Sequence, residues 1–189
     1  MLNIEIISLV LKNRLNEKRY LHSLGVMKTA EELAKIYDAP VEKAIIAGLV
    51  HDCAKNLNSN QMLKYAFKFD ILLDGVTNHQ IQLLHGHIGA ELAKNEFGIN
   101  DIDILNAIRF HTTGRENMST LEKIIFLADF IEPNRAFPGV DKLRNMALFN
   151  LDKATFMALN HTIKHVITKG ELLHVSTVHA RNFLLEQLI

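Results

Sequence analysis

The stretch from Val41 to Lys55, VEKAIIAGLVHDCAK, joins an apolar helical pattern to an adjacent histidine and aspartate near its end. Its apolar residues recur at the spacing of a core-facing helix face and are Val41, Ala44, Ile45, Gly48 and Leu49. The next position on that face is Asp52, and a buried carboxylate is normally neutralised, paired or bound to a metal. The pattern therefore predicts a buried Asp52 with a cationic partner, and the neighbouring His51 is a metal-ligand type.

Other helical patterns also carry a polar residue on their apolar face. Those residues are His22, His85, His111 and Asp129. One such residue is usually a hydrogen-bonded core group. Several unsatisfied groups, at roughly 1–3 kcal/mol each, would exceed what a stability of about 5–15 kcal/mol tolerates. We therefore expect these side chains to converge on one metal site.

The pattern along the chain predicts an all-α fold with seven or more helices in one domain, residues 1–189, because no run alternates as a strand would. The predicted helices are Ile4–Leu15, Glu17–Tyr37, Val41–Lys55, a short one capped by Ser59, one from about His85 to Gly98, one capped by Asp101 and ending before Thr112, Ser119–Ile131 with a capping box to Glu122, Asp141–Lys169 with a break near Asn150, and Ser176–Leu188.

Composition excludes several classes of function. Lysine plus arginine and aspartate plus glutamate both count 21, so the zero net charge argues against a nucleic-acid footprint or a polybasic membrane patch. The single cysteine, Cys53, rules out an internal disulfide and suits a reducing compartment. The N-terminal MLNIEIISLV lacks a basic leader and is too short to span a bilayer. We expect a cytoplasmic protein. The sequence does not decide between a monomer and a homodimer.

The donor set is made of nitrogen and oxygen ligands, which suits a hydrolytic metal centre with open positions for water. Two histidines and two carboxylates make one metal position, and two further histidines could complete a second with a bridging aspartate. Such donors accept iron, manganese, cobalt or zinc. His161 and His165 share an i, i+4 spacing but lack the glutamate of a metalloprotease helix, and His79 and His179 are expected at the surface.

Six ordered motifs carry a family resemblance. They are HSLGV at His22, AGLVHDCAK at His51, LLHGHIGA at His85, AIRFHTTG at His111, ADFIEPNR at Asp129 and LLHVSTVHARN at His174. Together they resemble the HD-domain superfamily of metal-dependent phosphohydrolases, a compact helical bundle, and within it the YqeK family. The sequence departs from our picture of that family at His87 and Val175, where proline is expected.

The resemblance implies a symmetrical diadenosine tetraphosphate hydrolase that yields two ADP. It implies that iron is held by His22, His51, Asp52 and Asp129, and that His85 and His111 hold a second metal or face its water and the phosphates. Asp52 or Asp129 could orient the attacking water. The alternatives are another HD-domain nucleotide phosphohydrolase, acting on a nucleoside monophosphate, a deoxynucleoside triphosphate or a guanosine alarmone, and a nucleotide sensor that turns nothing over.

Substrate contacts are expected from basic and hydroxyl residues beside the motifs. The candidate phosphate clamps are Arg19, Lys55 and Arg135, because an arginine fork matches phosphate geometry, and Thr112 could add a hydroxyl donor. The resemblance further places the nucleoside against the segment that contains Gly170, Leu173, His174 and Val175. The expected partners are thus a dinucleoside polyphosphate substrate and ADP.

Overall fold

The computed structural model describes residues 4–189, and the fold of that range is all-α, as predicted, with no strand among these residues. The helices are α1 (Ile4–Arg14), α2 (Glu17–Ile36), α3 (Val41–Val50), α4 (Ser59–Lys68), α5 (His85–Phe97), α6 (Ile102–Phe110), α7 (Thr120–Ile131), α8 (Val140–Ala147), α9 (Leu151–Thr168) and α10 (Val175–Leu188). A 3-10 helix, Ile81–Leu84, leads directly into α5. None of the helices formed by residues 4–189 is long and apolar enough to cross a membrane.

Polar side chains begin several helices by accepting hydrogen bonds from unpaired backbone N–H groups. Asp101 caps α6, and Ser119 and Glu122 form a capping box at α7, both as predicted. The predicted cap at Ser59 is wrong by one residue. Asn58 is the N-cap of α4 and forms a capping box with Gln61.

The third helix ends earlier than predicted. It stops at Val50, and residues 51–56 form a tight turn instead of the helical continuation to Lys55. Backbone bonds over three residues, Cys53 N to Val50 O and Lys55 N to Asp52 O, both 2.9 Å, tighten the chain there. Asp52 remains buried at 2% exposure, so its burial was predicted correctly although its local conformation was not.

The C-terminal part contains three helices where the pattern predicted two with a break. The break lies at Asn150, whose side chain accepts a hydrogen bond from Lys153 N at 2.8 Å and so begins α9. The last helix begins at Val175, with His174 as its cap.

Helix α7 is the centre of the bundle. It is buried on nearly all sides and packs against α2, α3, α6, α8 and α9. Helix α2 packs on α3 as well, and α6 lies between α3 and α5. As a result, the ends of α3, α6 and α7 lie near the start of α5 and the first turns of α2.

Gly86 permits the close approach of α5 to α6. A Cβ atom at this position would lie 2.6 Å from the Arg109 carbonyl oxygen and 3.2 Å from that of Ile108. Backbone atoms cannot yield as a flexible side chain can. The glycine therefore fixes the distance between the helix segments that carry His85 and His111.

We predict that Gly86→Ala lowers the free energy of unfolding by about 1–3 kcal/mol, because the added methyl group overpacks this contact. Urea unfolding in the presence of a chelator measures the change without a contribution from metal binding. Gly75→Ala is the matched control, since a Cβ there meets nothing within 4 Å. Equal midpoints for the two variants would contradict the packing role of Gly86.

Candidate metal centre

Six side chains from five parts of the chain meet at one place. They are His22 on α2, His51 and Asp52 after α3, His85 at the start of α5, His111 after α6, and Asp129 on α7. All are buried except Asp129, whose side chain is 19% exposed. The structure thus brings together the whole set of predicted metal ligands.

Three of the histidines lie at helix ends and use the free carbonyl groups found there. The Nδ1 atoms of His51, His85 and His111 lie 2.7, 2.5 and 2.7 Å from backbone oxygens three residues earlier. A carbonyl oxygen only accepts, so each Nδ1 carries the proton. In the neutral ring, each Nε2 then carries a free lone pair that is directed into the cluster. This tautomer is the one that binds a metal.

His22 lies inside α2, where no backbone carbonyl is free, and takes a side-chain partner instead. Its Nδ1 lies 3.1 Å from Oε1 of Glu132, a residue only 2% exposed. Oε2 of Glu132 accepts from the backbone N of Asn134 at 2.8 Å. Gly25 makes room for this carboxylate, because a Cβ there would lie 2.6 Å from Oε2.

Asp52 lies between two pairs of imidazoles. Its Oδ2 is 3.4 Å from His51 Nε2 and 3.7 Å from His22 Nε2. Its Oδ1 is 3.3 Å from His85 Nε2 and 3.5 Å from His111 Nε2. The two oxygens of one carboxylate therefore face different histidine pairs.

The first pair, His22 and His51, also faces Asp129, whose Oδ1 lies 2.9 and 3.9 Å from their Nε2 atoms. The geometry thus offers two adjacent cation positions that share Asp52.

The unsatisfied atoms of the cluster fit a metal. Nε2 of His22, Nε2 of His51 and Oδ1 of Asp52 are buried without a hydrogen-bond partner. The Nε2 atoms of His85 and His111 are only 3.0 Å apart, although both are acceptors in the neutral tautomers. A cation would satisfy all these atoms at once, and the carboxyl ends of α3, α6 and α7 add negative partial charge.

The surroundings favour ionised carboxylates and a neutral His85. Burial opposes ionisation of Asp52, but the positive charge of neighbouring imidazoles, His51 first, holds its carboxyl pKa well below the usual value. Burial likewise opposes ionisation of Asp129, but hydrogen bonding with His22 and the charges near it lower that pKa too. Burial, with Lys55 nearby, lowers the pKa of His85 to about 4. A metal ion supplies the positive charge that the carboxylates need without protonating the histidines.

The predicted clamps Arg19 and Arg135 contact the two carboxylates. Arg19 Nη1 donates to Asp52 Oδ2 at 2.6 Å, and Arg135 Nη2 donates to Asp129 Oδ1 at 2.6 Å. Their side chains remain 28% and 39% exposed. Both guanidinium groups therefore reach the cluster and solvent together.

Lys55 and Thr112 lie on the other side, around the His85–His111 pair. Lys55 Nζ is 3.2 Å from His85 Nε2, and Thr112 Oγ1 is 3.1 Å from both Nε2 atoms. Burial lowers the pKa of Lys55, and the charges of Asp52 and Asp129 oppose that shift. The structure thus places four of the predicted substrate contacts at the cluster.

The predicted nucleoside contacts are in the segment 170–175. This segment joins α9 to α10, and Gly170, Leu173, His174 and Val175 line neither of the two pockets described below. His174 Nε2 lies 3.0 Å from Asp74 Oδ2, and its Nδ1 accepts from Ser176 N. Contact between the segment 170–175 and the nucleoside stays a prediction.

Two pockets adjoin the cluster. The first, which we call the aromatic pocket, has a volume of about 360 Å³ and is lined by Asp129, Arg135, Phe130, Phe137 and His161 among others. The second, which we call the α2 pocket, has about 680 Å³ and includes Arg19, His22 and Arg135 in its wall. Arg135 and Phe137 line both pockets, so these two residues form the boundary between them.

Sequence reasoning missed Glu132, Arg144 and the aromatic pocket. Glu132 lies three residues after Asp129, at the C-cap of the same helix, and this short spacing in the sequence could have indicated its proximity to the cluster. Arg144 donates to the backbone oxygens of Ile131, Glu132 and Arg135 at 2.9, 3.0 and 2.8 Å. It thereby holds the turn that carries Glu132 and Arg135, and only tertiary structure reveals this.

We predict that Asp52→Ala abolishes metal binding, since both cation positions lose a ligand. The metal-free protein should change in stability by less than about 2 kcal/mol, because the variant removes a buried charge and Arg19 can turn to solvent. Metal analysis after purification and urea unfolding with chelator measure the two effects. Asp103→Ala, at an exposed carboxylate paired with Lys43, is the control and should keep its metal. Intact metal content in Asp52→Ala would refute the assignment.

We predict that Glu132→Gln weakens metal binding about 10- to 100-fold, because the partner that orients a ligating histidine is altered. Metal titration of the metal-free protein measures this affinity, and excess metal should restore activity. Glu122→Gln is the control: that carboxylate is equally buried but bonds Arg115 away from the cluster. It should lower stability and leave metal affinity unchanged, and the same affinity in both variants would contradict the role of Glu132.

Comparison with known proteins gives the family. The HD domain matches residues 19–134. The chain is 45% identical over 179 residues to the "Bis(5'-nucleosyl)-tetraphosphatase, symmetrical" of Halalkalibacterium halodurans, covering 94% of this chain and 95% of that protein. It is 40% identical to the protein of the same name from Bacillus subtilis, covering 92% of each.

A crystal structure from Clostridium acetobutylicum, described as a "predicted HD superfamily hydrolase involved in NAD metabolism", superposes with a TM-score of 0.96 at 52% identity and covers 99% of both chains. Because the domain match spans more than half of the chain and the relatives align over nearly all of it, the chain belongs to the HD-domain family of metal-dependent hydrolases.

Proposed function

We propose that this protein hydrolyses diadenosine tetraphosphate symmetrically to two ADP. The observation that carries the proposal is Asp52, with its two oxygens facing separate histidine pairs, together with the bonds from Arg19 to Asp52 and from Arg135 to the neighbouring Asp129. A polyphosphate needs this combination of cation positions and guanidinium groups. The relatives described above carry the name of this activity.

The metal centre holds divalent cations in two adjacent positions in this proposal. His22, His51, Asp52 and Asp129 would hold the first, and His85, His111 and Asp52 the second. Iron is the proposed metal, by family resemblance and because histidine and carboxylate donors suit ferrous iron, although manganese, cobalt or zinc fit the same donors. When bound, such ions lower the pKa of water and neutralise phosphate oxygens.

Arg19 and Arg135 bind the phosphates. In the absence of substrate they donate to Asp52 and Asp129, the same carboxylates that ligate metal. With metal ions bound to those carboxylates, the partly exposed guanidinium groups would be free to form bidentate contacts with phosphate oxygens. The arginines thus hold the substrate where negative charge develops during hydrolysis.

Lys55 and Thr112 act on the opposite side of the cluster. Lys55 is held against His85 and provides a positive charge close to the leaving phosphate. With a metal held by the two imidazoles that it contacts, the Thr112 hydroxyl would be free to donate to a phosphate oxygen. Asp129, the most exposed of the carboxylates, orients the attacking water.

One nucleoside lies on the α9 side of the cluster. The aromatic pocket offers Phe130, Phe137 and His161 for contact with a base, and segment 170–175 follows the C-terminus of α9. Both ring nitrogens of His174 are already bonded, so its role towards a nucleoside is stacking with the ring face.

We predict that iron-loaded protein converts diadenosine tetraphosphate to ADP alone, as measured by chromatography of the products. In water enriched in ¹⁸O, half of the ADP should carry one labelled oxygen, since one water enters per pair of products. AMP together with ATP would refute symmetrical cleavage. Asp52→Ala is the inactive control, and a panel of nucleoside monophosphates, deoxynucleoside triphosphates and guanosine alarmones tests the alternative substrates.

A further inference from the structure

The α2 pocket adjoins the metal centre on the side of Arg19, and its outer residues have no role in the metal centre or in the first nucleoside site. It lies between the first turns of α2 and the segment 134–137 that follows α7, and its volume of about 680 Å³ is within the range of nucleotide-sized sites. Leu21 and Phe137 give it apolar walls, and Lys18, Asn134 and Ala136 complete its outer part. It is therefore large, partly apolar and partly polar, as a nucleoside site should be.

The inner end of the α2 pocket reaches the metal centre. His22, which faces both carboxylates, is part of the wall. Arg19 and Arg135 are also part of the wall, and each bonds one carboxylate of the cluster at 2.6 Å. A phosphate bound at these arginines is thus already at the entrance to the pocket.

The two pockets share one wall and differ in the rest of their lining. Arg135 and Phe137 line both, while Arg19 lines only the α2 pocket and Thr112 only the aromatic pocket. A substrate cut at its middle has an identical half on each side of the scissile bond. If one half lies in the aromatic pocket, the other must leave the cluster on the far side of Arg135.

We propose that the α2 pocket is the second nucleoside diphosphate subsite. This inference rests on the proposed function and adds the place of the second half of the substrate. Leu21 and Phe137 contact the faces of the base, and Lys18 contacts the phosphates or ribose. Glu132 holds the side-chain nitrogen of Asn134, which leaves the amide oxygen to accept from an exocyclic amino group.

The stoichiometry of ADP binding tests this inference without any turnover. Titration calorimetry of manganese-loaded protein with ADP should give two sites per chain. Ala136→Trp fills the α2 pocket from an exposed position and should leave one site. The same variant should raise the KM for diadenosine tetraphosphate at least about tenfold, the loss expected when contacts to one base are removed. One site in the wild type, or two in Ala136→Trp, would overturn the proposal.

A fluorescent variant gives a second, independent measurement. The chain contains no tryptophan, so Leu21→Trp introduces a single reporter into the wall of the α2 pocket. ADP should change its emission at saturation, and unchanged emission would contradict the proposal. Leu72→Trp, at a residue 94% exposed and outside both pockets, is the matched control and should not respond.

The two proposals fail in different ways. Products other than ADP would refute symmetrical cleavage, whatever the number of ADP molecules bound. A single ADP per chain in a protein that does produce ADP alone would refute only the subsite.

Discussion

The burial of Asp52 among four imidazoles is the interaction on which the rest of the structure depends. A carboxylate 2% exposed, with one oxygen unbonded, is stable only if positive charge is close to it. The fold supplies part of that charge through Arg19 and leaves the remainder to a cation. The helices α3 and α6 and the 3-10 helix end at this point, and one backbone carbonyl group of each holds an imidazole in the ligating tautomer. The same helix ends therefore bury Asp52 and orient the imidazoles for metal binding.

The sequence predicted the site better than it predicted the local backbone. Helical spacing identified His22, His85, His111 and Asp129 as inward-facing, because a polar residue on an apolar helix face can be recognised from the sequence alone. The same spacing wrongly extended α3 to Lys55, since a helix and a tight turn bury Asp52 equally well. Glu132 and Arg144 could not be recognised by helical spacing, because each acts through a contact made in the tertiary structure. Glu132 bonds His22, 110 residues earlier, and Arg144 bonds the carbonyl oxygen of Glu132, 12 residues earlier.

The six residues of the candidate metal centre are spread from His22 to Asp129, and no local segment contains more than two of them. The site therefore exists only when α2, α3, α5, α6 and α7 are packed together. A metal that binds only this packed state stabilises the whole bundle by mass action. Gly86 contributes to the same assembly, because the contact between α5 and α6 sets the separation of two of the imidazoles. Folding and metal binding are consequently coupled equilibria in this protein.

The boundary between the two pockets is a loop, whereas every metal ligand belongs to a helix or to the turn at its end. Arg144 fixes one end of that loop through backbone carbonyl groups, which any residue possesses, so this contact does not depend on the side chains of the loop. Insertions or exchanges after Arg135, between Ala136 and Gly139, would change the shape of the two pockets while the bond from Arg135 to Asp129 was kept. This fold can therefore evolve towards polyphosphates of other lengths without rebuilding its chemistry.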